Sequence, residues 1–176
     1  MAGLAGLALH SPLTLATPTH RHVHTHAPGT KALSLRNLHT NDQVSCTYWI
    51  AGQYQPDALQ EVNMCLRDHR SGDIGEIDPL LLDSIHALVD DIGYSGEIHI
   101  ISGYRSPKTN DMLRQRSSGV AKKSYHMLGR AVDLRLPQVS LSQLHKAALT
   151  LHNGGVGYYP KSNFLHLDTG PKRNWS

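Results

Sequence analysis

The sequence predicts a single domain of the α+β class, and three observations support this. At 176 residues the chain is long enough for one domain with a hydrophobic core of its own. Helical patterns with capping residues and segments with strand-like alternation both occur along it. Two strand segments near the C-terminus are joined by only residues 160–162. A connection this short favours an antiparallel pair.

The first predicted elements are a strand and a helix. Residues 43–50 are rich in β-branched and aromatic side chains, which is typical of a strand. Pro56 then opens a helix, since proline suits the first helical turn. One face of this helix is expected to point inward, and its members are Leu59, Val62, Leu66 and His69.

A second helix has clear start and stop signals. Asp78 is suited to the N-cap, Pro79 to the first turn, and Gly93 to the end of the helix. Its apolar positions recur at helical spacing: Leu81, Leu82, Ile85, Leu88, Val89 and Ile92. Residues 97–101 follow as a short strand, and a further helix is expected to end near Arg116.

The C-terminal part reads as strand, helix and two strands. In residues 130–136, Val132 and Leu134 point to one face and Asp133 to the other. Ser140 and Gln143 form a capping box for a helix that should end at the glycines of residues 154–155. Strands are then predicted at residues 156–159 and 163–168.

The N-terminal segment, residues 1–32, is expected to lie outside the folded domain of residues 33–176. Residues 2–16 are mostly apolar and resemble the remnant of an export signal, although no basic stretch precedes them. A disordered tail is the alternative. Residues 17–32 read as a disordered linker in which histidines alternate, and such a segment can gather metal loosely or be incidental.

Composition limits the classes of partner. The net charge is +3, and no basic run exceeds Lys122 and Lys123, so we expect no nucleic-acid partner. The apolar N-terminal stretch is too short and too interrupted to span a bilayer, so no stable membrane insertion is expected. Cys46 and Cys65 fit either one disulfide or two separate thiols.

Two histidines and a carboxylate near the C-terminus suggest a metal site. His126 lies in a loop, Asp133 on the less apolar face of one strand and His166 on another strand, so the three can meet at one point. Two imidazoles and one carboxylate form the ligand set of a catalytic zinc site that keeps one position open for water. Asp168 shares the face of His166, two residues along the strand.

The complete motif pattern resembles a known family. Residues 124–133 read Ser-x-His-x-x-Gly-x-Ala-x-Asp, preceded by Ser-Gly-Tyr-Arg-Ser at residues 102–106 and followed by Phe-Leu-His-Leu-Asp at residues 164–168. The chain resembles the M15 family of zinc D,D-peptidases over residues 33–175, and most of all its periplasmic murein endopeptidase branch. The resemblance implies the fold shared with hedgehog domains, a central, mainly antiparallel sheet flanked by helices.

The resemblance also implies the roles of site residues. It assigns one zinc ion per chain to His126, Asp133 and His166, and places Arg105 at the site, to stabilise an oxyanion or grip a substrate carboxylate. A structural salt bridge is the alternative for Arg105.

The general base departs from the family pattern. Several relatives carry Glu or Asp three residues before the last zinc histidine, or His two before it, but this chain has Asn163 and Phe164 there. Asp168 is therefore the candidate base, or alternatively a group that orients His166.

The function expected from the resemblance is a zinc-dependent murein endopeptidase, an exported or periplasmic monomer that uses metal-activated water to cut peptide cross-links in peptidoglycan. Three alternatives stay open at this point. The first is a D,D-carboxypeptidase or dipeptidase, the second a non-catalytic, zinc-containing cell-wall binding domain, and the third metal storage by the His-rich segment. Either a D-alanine–diaminopimelate or a diaminopimelate–diaminopimelate link fits the sequence.

Overall fold

The computed structural model describes residues 29–176, which form one eight-stranded sheet with four α-helices. The strands are β1 Thr30–Asn37, β2 Gln43–Ile50, β3 Gln53–Tyr54, β4 Ile98–Ser102, β5 Ala131–Arg135, β6 Gly155–Tyr159, β7 Phe164–Asp168 and β8 Arg173–Trp175. The helices are α1 Pro56–Cys65, α2 Pro79–Ile92, α3 Pro107–Arg116 and α4 Leu141–Leu151, with a 3₁₀-helix at Tyr125–Leu128.

The strand order is β3-β2-β1-β4-β5-β7-β6-β8. Five of the seven pairings are antiparallel, and β1–β4 and β6–β8 are parallel. The prediction of an α+β domain with a mainly antiparallel sheet flanked by helices is confirmed. The expected antiparallel pair across residues 160–162 is β6–β7.

Elements with strong local signals lie where the sequence predicts them. The Asp78 carboxylate accepts a hydrogen bond from the Leu80 amide at the start of α2, and Gly93 ends that helix with φ of 68°. The Ser140 hydroxyl likewise accepts from the Gln143 amide at the start of α4, at 3.2 Å. Local capping therefore fixes both helices that cover the core.

Other boundaries differ from the prediction. Strand β1 was not predicted, and it starts at Thr30, before the expected domain start at residue 33. Strands β3 and β8 have two and three residues, too few to show alternation. Helix α1 ends at Cys65, so Leu66 and His69 lie beyond it. Helix α4 ends at Leu151, before the glycines, and Gly155 belongs to β6.

In the C-terminal half of the sheet, one face packs against the core and the other carries the candidate site residues. Val132 and Leu134 on β5 pair with Leu167 and Leu165 on β7 and join the core beneath α2 and α4. Each fully buried side chain of this size contributes about 1.5–3 kcal/mol. The alternate residues, Asp133 and His166 among them, face the other side, as the alternation predicts.

Three remaining expectations concern the thiols and the N-terminus. Cys46 and Cys65 are both free thiols. Within residues 29–176 no helix has the length and apolar character needed to cross a membrane. The predicted export remnant and most of the His-rich linker lie outside the described residues.

Candidate metal centre

A short 3₁₀-helix carries His126. The Ser124 hydroxyl accepts from the His126 amide at its start, and Gly129 ends it with φ of 64°. A Cβ at Gly129 would collide with the Glu76 carbonyl oxygen, and the Gly129 carbonyl accepts from the Asp78 amide at 2.9 Å. Only glycine allows this turn to lie against the start of α2, which fixes the place of His126.

Asp133 and His166 are direct neighbours across the β5–β7 ladder. The His166 Nδ1 lies 2.8 Å from Asp133 Oδ1, and the His126 Nε2 lies 3.4 Å from the same oxygen. His126 and Asp133 are buried, and the His166 side chain is 12% exposed. The structure thus brings together the three residues that the sequence predicts as ligands.

In each of the two imidazoles, the nitrogen that points away from Asp133 has a partner of its own. The His126 Nδ1 contacts the Gly103 carbonyl oxygen at 2.7 Å, where only an N–H can bond, so Nε2 keeps its lone pair in the neutral ring. The His166 Nε2 contacts Asp168 Oδ2 at 2.9 Å. These contacts orient the other nitrogen of each ring toward Asp133, as outer contacts of metal-bound histidines do.

The donor set suits zinc. One ligand atom from each of His126, Asp133 and His166 lies within 4.8 Å of the others. Ligand atoms at about 2.0–2.2 Å from a tetrahedral zinc ion lie about 3.4 Å apart. Two nitrogens and one carboxylate oxygen are also the usual ligands of a catalytic zinc site with one open position.

The surroundings of Asp133 favour the charged form of its carboxylate. Burial by itself raises the pKa of Asp133, but His126 and His166 beside it hold that pKa well below its usual range. For His166, burial lowers the pKa, and the carboxylates of Asp133 and Asp168 raise it above the ordinary value. The Asp133 carboxylate is therefore kept charged, and it could compensate the charge of a bound cation.

Asp168 is completely buried and heavily engaged. Its Oδ1 accepts from the amides of Gly155 and Gly170 and from Arg173 Nη1, while its Oδ2 contacts His166 Nε2 and Arg173 Nη2. Burial raises the pKa of Asp168, but His166, Arg173 and the Gly170 amide lower it below its usual range. Five donors surround the roughly four lone-pair positions of one carboxylate.

Arg105 sits beside the centre between the His126 turn and α3. Its amide donates to the His126 carbonyl oxygen at 3.1 Å, and Ser106, the next residue, caps α3 while its amide donates to buried Asp68. The guanidinium has one long contact, from Nη1 to Asn110 Oδ1 at 3.4 Å, and Nε has no partner. Within residues 29–176 it makes no ion pair, and burial lowers its pKa.

Comparison with known proteins shows the relationship. The family model described as peptidoglycan L,D-endopeptidase MepK matches residues 25–175. The chain belongs to the MepK family. Peptidoglycan L,D-endopeptidase MepK of Escherichia coli K12 is 43% identical over 175 residues, covering 99% of this chain and 94% of that protein, and the Shigella flexneri protein matches equally well. The probable MepK of Haemophilus influenzae is 41% identical over 149 residues, covering 84% and 80%.

In this member of the MepK family the candidate metal centre lines a cleft of about 420 Å³. Arg105, His126, Asp133, His166 and Asp168 all line it, so the structure brings every predicted site residue to one place. Tyr125 and Tyr159 also line the cleft. Tyr104 and Tyr158 pack against the core instead.

Sequence reasoning gave no role to Arg173 or Trp175, although both line the cleft. Arg173 binds Asp168 through both terminal nitrogens, and its guanidinium lies 5.3 Å from the Tyr125 ring centroid. The Trp175 ring centroid lies 5.2 Å from that of His166. The sequence signal that could have identified these two residues is the similarity of residues 154–175 to the MepK family. Strand β8 itself is too short to show a periodic pattern.

Proposed function

We propose that this chain is a zinc-dependent peptidoglycan L,D-endopeptidase, a monomer that hydrolyses peptide cross-links of the bacterial cell wall in the periplasm. The observation that carries this proposal is the convergence of His126, Asp133 and His166 in an open cleft. The 43% identity to a protein named peptidoglycan L,D-endopeptidase supports the substrate class.

The L,D stereochemistry in the relatives' names favours one of the two links considered above. A bond from D-alanine to the D-centre of diaminopimelate joins two D-centres. A bond from the L-centre of one diaminopimelate to the D-centre of another is an L,D bond. We therefore propose the diaminopimelate–diaminopimelate link as the substrate of this chain.

His126, Asp133 and His166 would hold the zinc ion. A zinc ion in such a site lowers the pKa of water to roughly 7 and polarises a carbonyl group, which lessens the need for a dedicated protein base. Asp133 supplies the negative charge that compensates the cation, and the Gly103 carbonyl keeps His126 in the tautomer whose Nε2 can bind metal.

Arg105 is proposed to stabilise negative charge on the substrate. Its guanidinium lines the cleft and has one long protein contact from Nη1, so its terminal nitrogens are available to an oxyanion or a carboxylate. Hydrogen bonds from such donors become stronger as negative charge develops on the reacting oxygen, because surroundings of low polarity screen the interaction only weakly. The absence of an ion pair to Arg105 within the described residues argues against the structural salt bridge.

For Asp168 we propose the second of the two roles considered, the orientation of His166. Its oxygens are saturated by protein donors, so taking a proton from water would require one of these contacts to break. An acceptor on His166 Nε2 fixes the ring and its tautomer and makes Nδ1 a better metal ligand.

Digestion of purified sacculi tests the function. The zinc-loaded protein should release the products of diaminopimelate–diaminopimelate cross-links, measured by mass analysis of muropeptides, and a chelator should abolish this release. Asp133→Ala, which removes a ligand, is the inactive control.

Other outcomes would identify the alternatives. Release of free D-alanine with intact cross-links would indicate a carboxypeptidase, and retention on sacculi without products would indicate a binding domain. Metal storage would be indicated if the full chain bound several zinc ions and lost them when residues 1–28 were deleted. Any of these would overturn the proposed function.

A further inference from the structure

The C-terminal strand β8 places an indole ring across the neighbouring strand. Gly157 on β6 is paired with His166 on β7 and with Trp175 on β8. A Cβ at Gly157 would lie 2.6 Å from Cε2 of the Trp175 ring. Because Gly157 has no side chain, the indole can lie across β6 and approach the His166 ring.

The indole fixes the hydroxyl group of Tyr159. Trp175 Nε1 lies 2.8 Å from Tyr159 Oη, and the Tyr159 ring stacks on Phe164 with centroids 4.5 Å apart. An indole N–H can only donate, so the Tyr159 oxygen must be the acceptor in this bond. The Tyr159 proton therefore cannot point toward Trp175.

The direction left for this proton is the cleft. Tyr159 is half-buried and lines the cleft together with Arg105, His126 and Asp133. Tyr159 is also close enough to Arg105 to interact with its charge. Within residues 29–176, Trp175 is the one hydrogen-bond partner that the structure gives to the Tyr159 hydroxyl.

We propose that Tyr159 is a catalytic residue that donates a hydrogen bond to the carbonyl oxygen of the scissile amide, and that Trp175 is a positioning residue that directs this donor. Tyr159 keeps its proton throughout, so no bond to it is formed or broken. It acts beside Arg105 by stabilising the charge that the oxygen gains in the transition state. This inference rests on the proposed function.

The first test compares two neighbouring tyrosines on a cross-linked muropeptide dimer purified from sacculi. Tyr159→Phe should lower kcat about 100-fold with little change in KM, which is the loss expected for one oxyanion donor. Its zinc content and melting temperature should match those of the wild type. Tyr158→Phe is the control, because its ring stacks on His145 and is packed against the core, and it should keep wild-type kcat.

The second test separates positioning from a merely structural role. Trp175→Phe should lower kcat about 10-fold, but it should have no further effect in the Tyr159→Phe background, because the two residues act as one unit. Equal effects of Trp175→Phe in both backgrounds would overturn the positioning role, and wild-type kcat in Tyr159→Phe would overturn the catalytic role. A wild-type protein that leaves the dimer intact would instead overturn the proposed function, and this inference with it.

Discussion

Asp133 and His166 face each other across the β5–β7 ladder, with Oδ1 and Nδ1 2.8 Å apart, and His126 reaches the same oxygen from a separate turn. Two of the three proposed ligands are thus held by backbone pairing. The third depends on a turn that glycine makes possible.

Asp133→Asn should abolish high-affinity zinc binding. The substitution keeps the shape of the side chain but removes the charge that compensates the cation at a buried point. We expect about one zinc ion per chain in the wild type and almost none in the variant, by mass spectrometry of the metal after dialysis. Stoichiometric zinc in the variant would contradict the proposed ligand set.

Asp168→Asn should weaken zinc binding about 10- to 100-fold, the usual cost of losing an outer contact of a metal-bound histidine. The measurement is zinc competition with a chromophoric chelator. A base would behave differently, since its loss would leave zinc affinity unchanged and remove turnover. That second result would restore the general-base role of Asp168.

Arg173→Lys should weaken zinc binding about 10-fold by loosening Asp168. Arg173 binds both oxygens of Asp168, at 3.0 and 2.7 Å, and lysine cannot make two parallel bonds. Because Arg173 does not reach the ligands directly, its effect should disappear in the Asp168→Asn background. Independent, additive losses would show that Arg173 does not act through Asp168.

Arg105→Lys should lower kcat/KM about 100-fold while zinc content stays at the wild-type level, because lysine keeps the charge but lacks the planar fork of donors. Arg114→Lys is the matched control. Arg114 lies on α3 near exposed Asp111, 3.7 Å away, and does not line the cleft. Equal activity of both variants would argue against a role for Arg105 in the reaction.

His69→Gln should reduce the loss of stability on acidification. Burial, with Arg70 and the stacked ring of His39 nearby, lowers the pKa of His69 to about 4, whereas the pKa of an unfolded histidine is about 6.5. The folded state therefore binds fewer protons in this window. The contribution of neutral His69 to stability is complete above about pH 6.5 and is lost as the pH falls toward about 4.

Urea unfolding of the metal-free protein at several pH values between 7 and 4 measures this effect. Asp68 and Arg105 also act on His69, so the comparison of wild type and variant isolates the histidine itself. Parallel pH profiles of the two proteins would refute the prediction.

Much of the fold follows from local signals. The start of α2 at Asp78 and Pro79 and the start of α4 at Ser140 depend on contacts within three residues. Sequence alone could not reveal β8, because three residues show no period. Strand β1 was not predicted, although its buried residues Leu33 and Leu35 alternate, and its pairing with β4 joins segments that are far apart in the chain. Pairing of distant strands is decided by the whole core.

The sequence by itself indicated which residues are the proposed metal ligands and on which strand faces Asp133 and His166 lie, because alternation along a strand is a local property. Only the tertiary structure decided which groups Asp168, Arg173 and Trp175 contact. Apart from His166, which shares β7 with Asp168, their partners lie on other strands and loops, and the distances among them depend on sheet register and on Gly157, which leaves room for the indole. Hydrogen bonds of this kind are selected by three-dimensional neighbours, which no spacing in the sequence encodes.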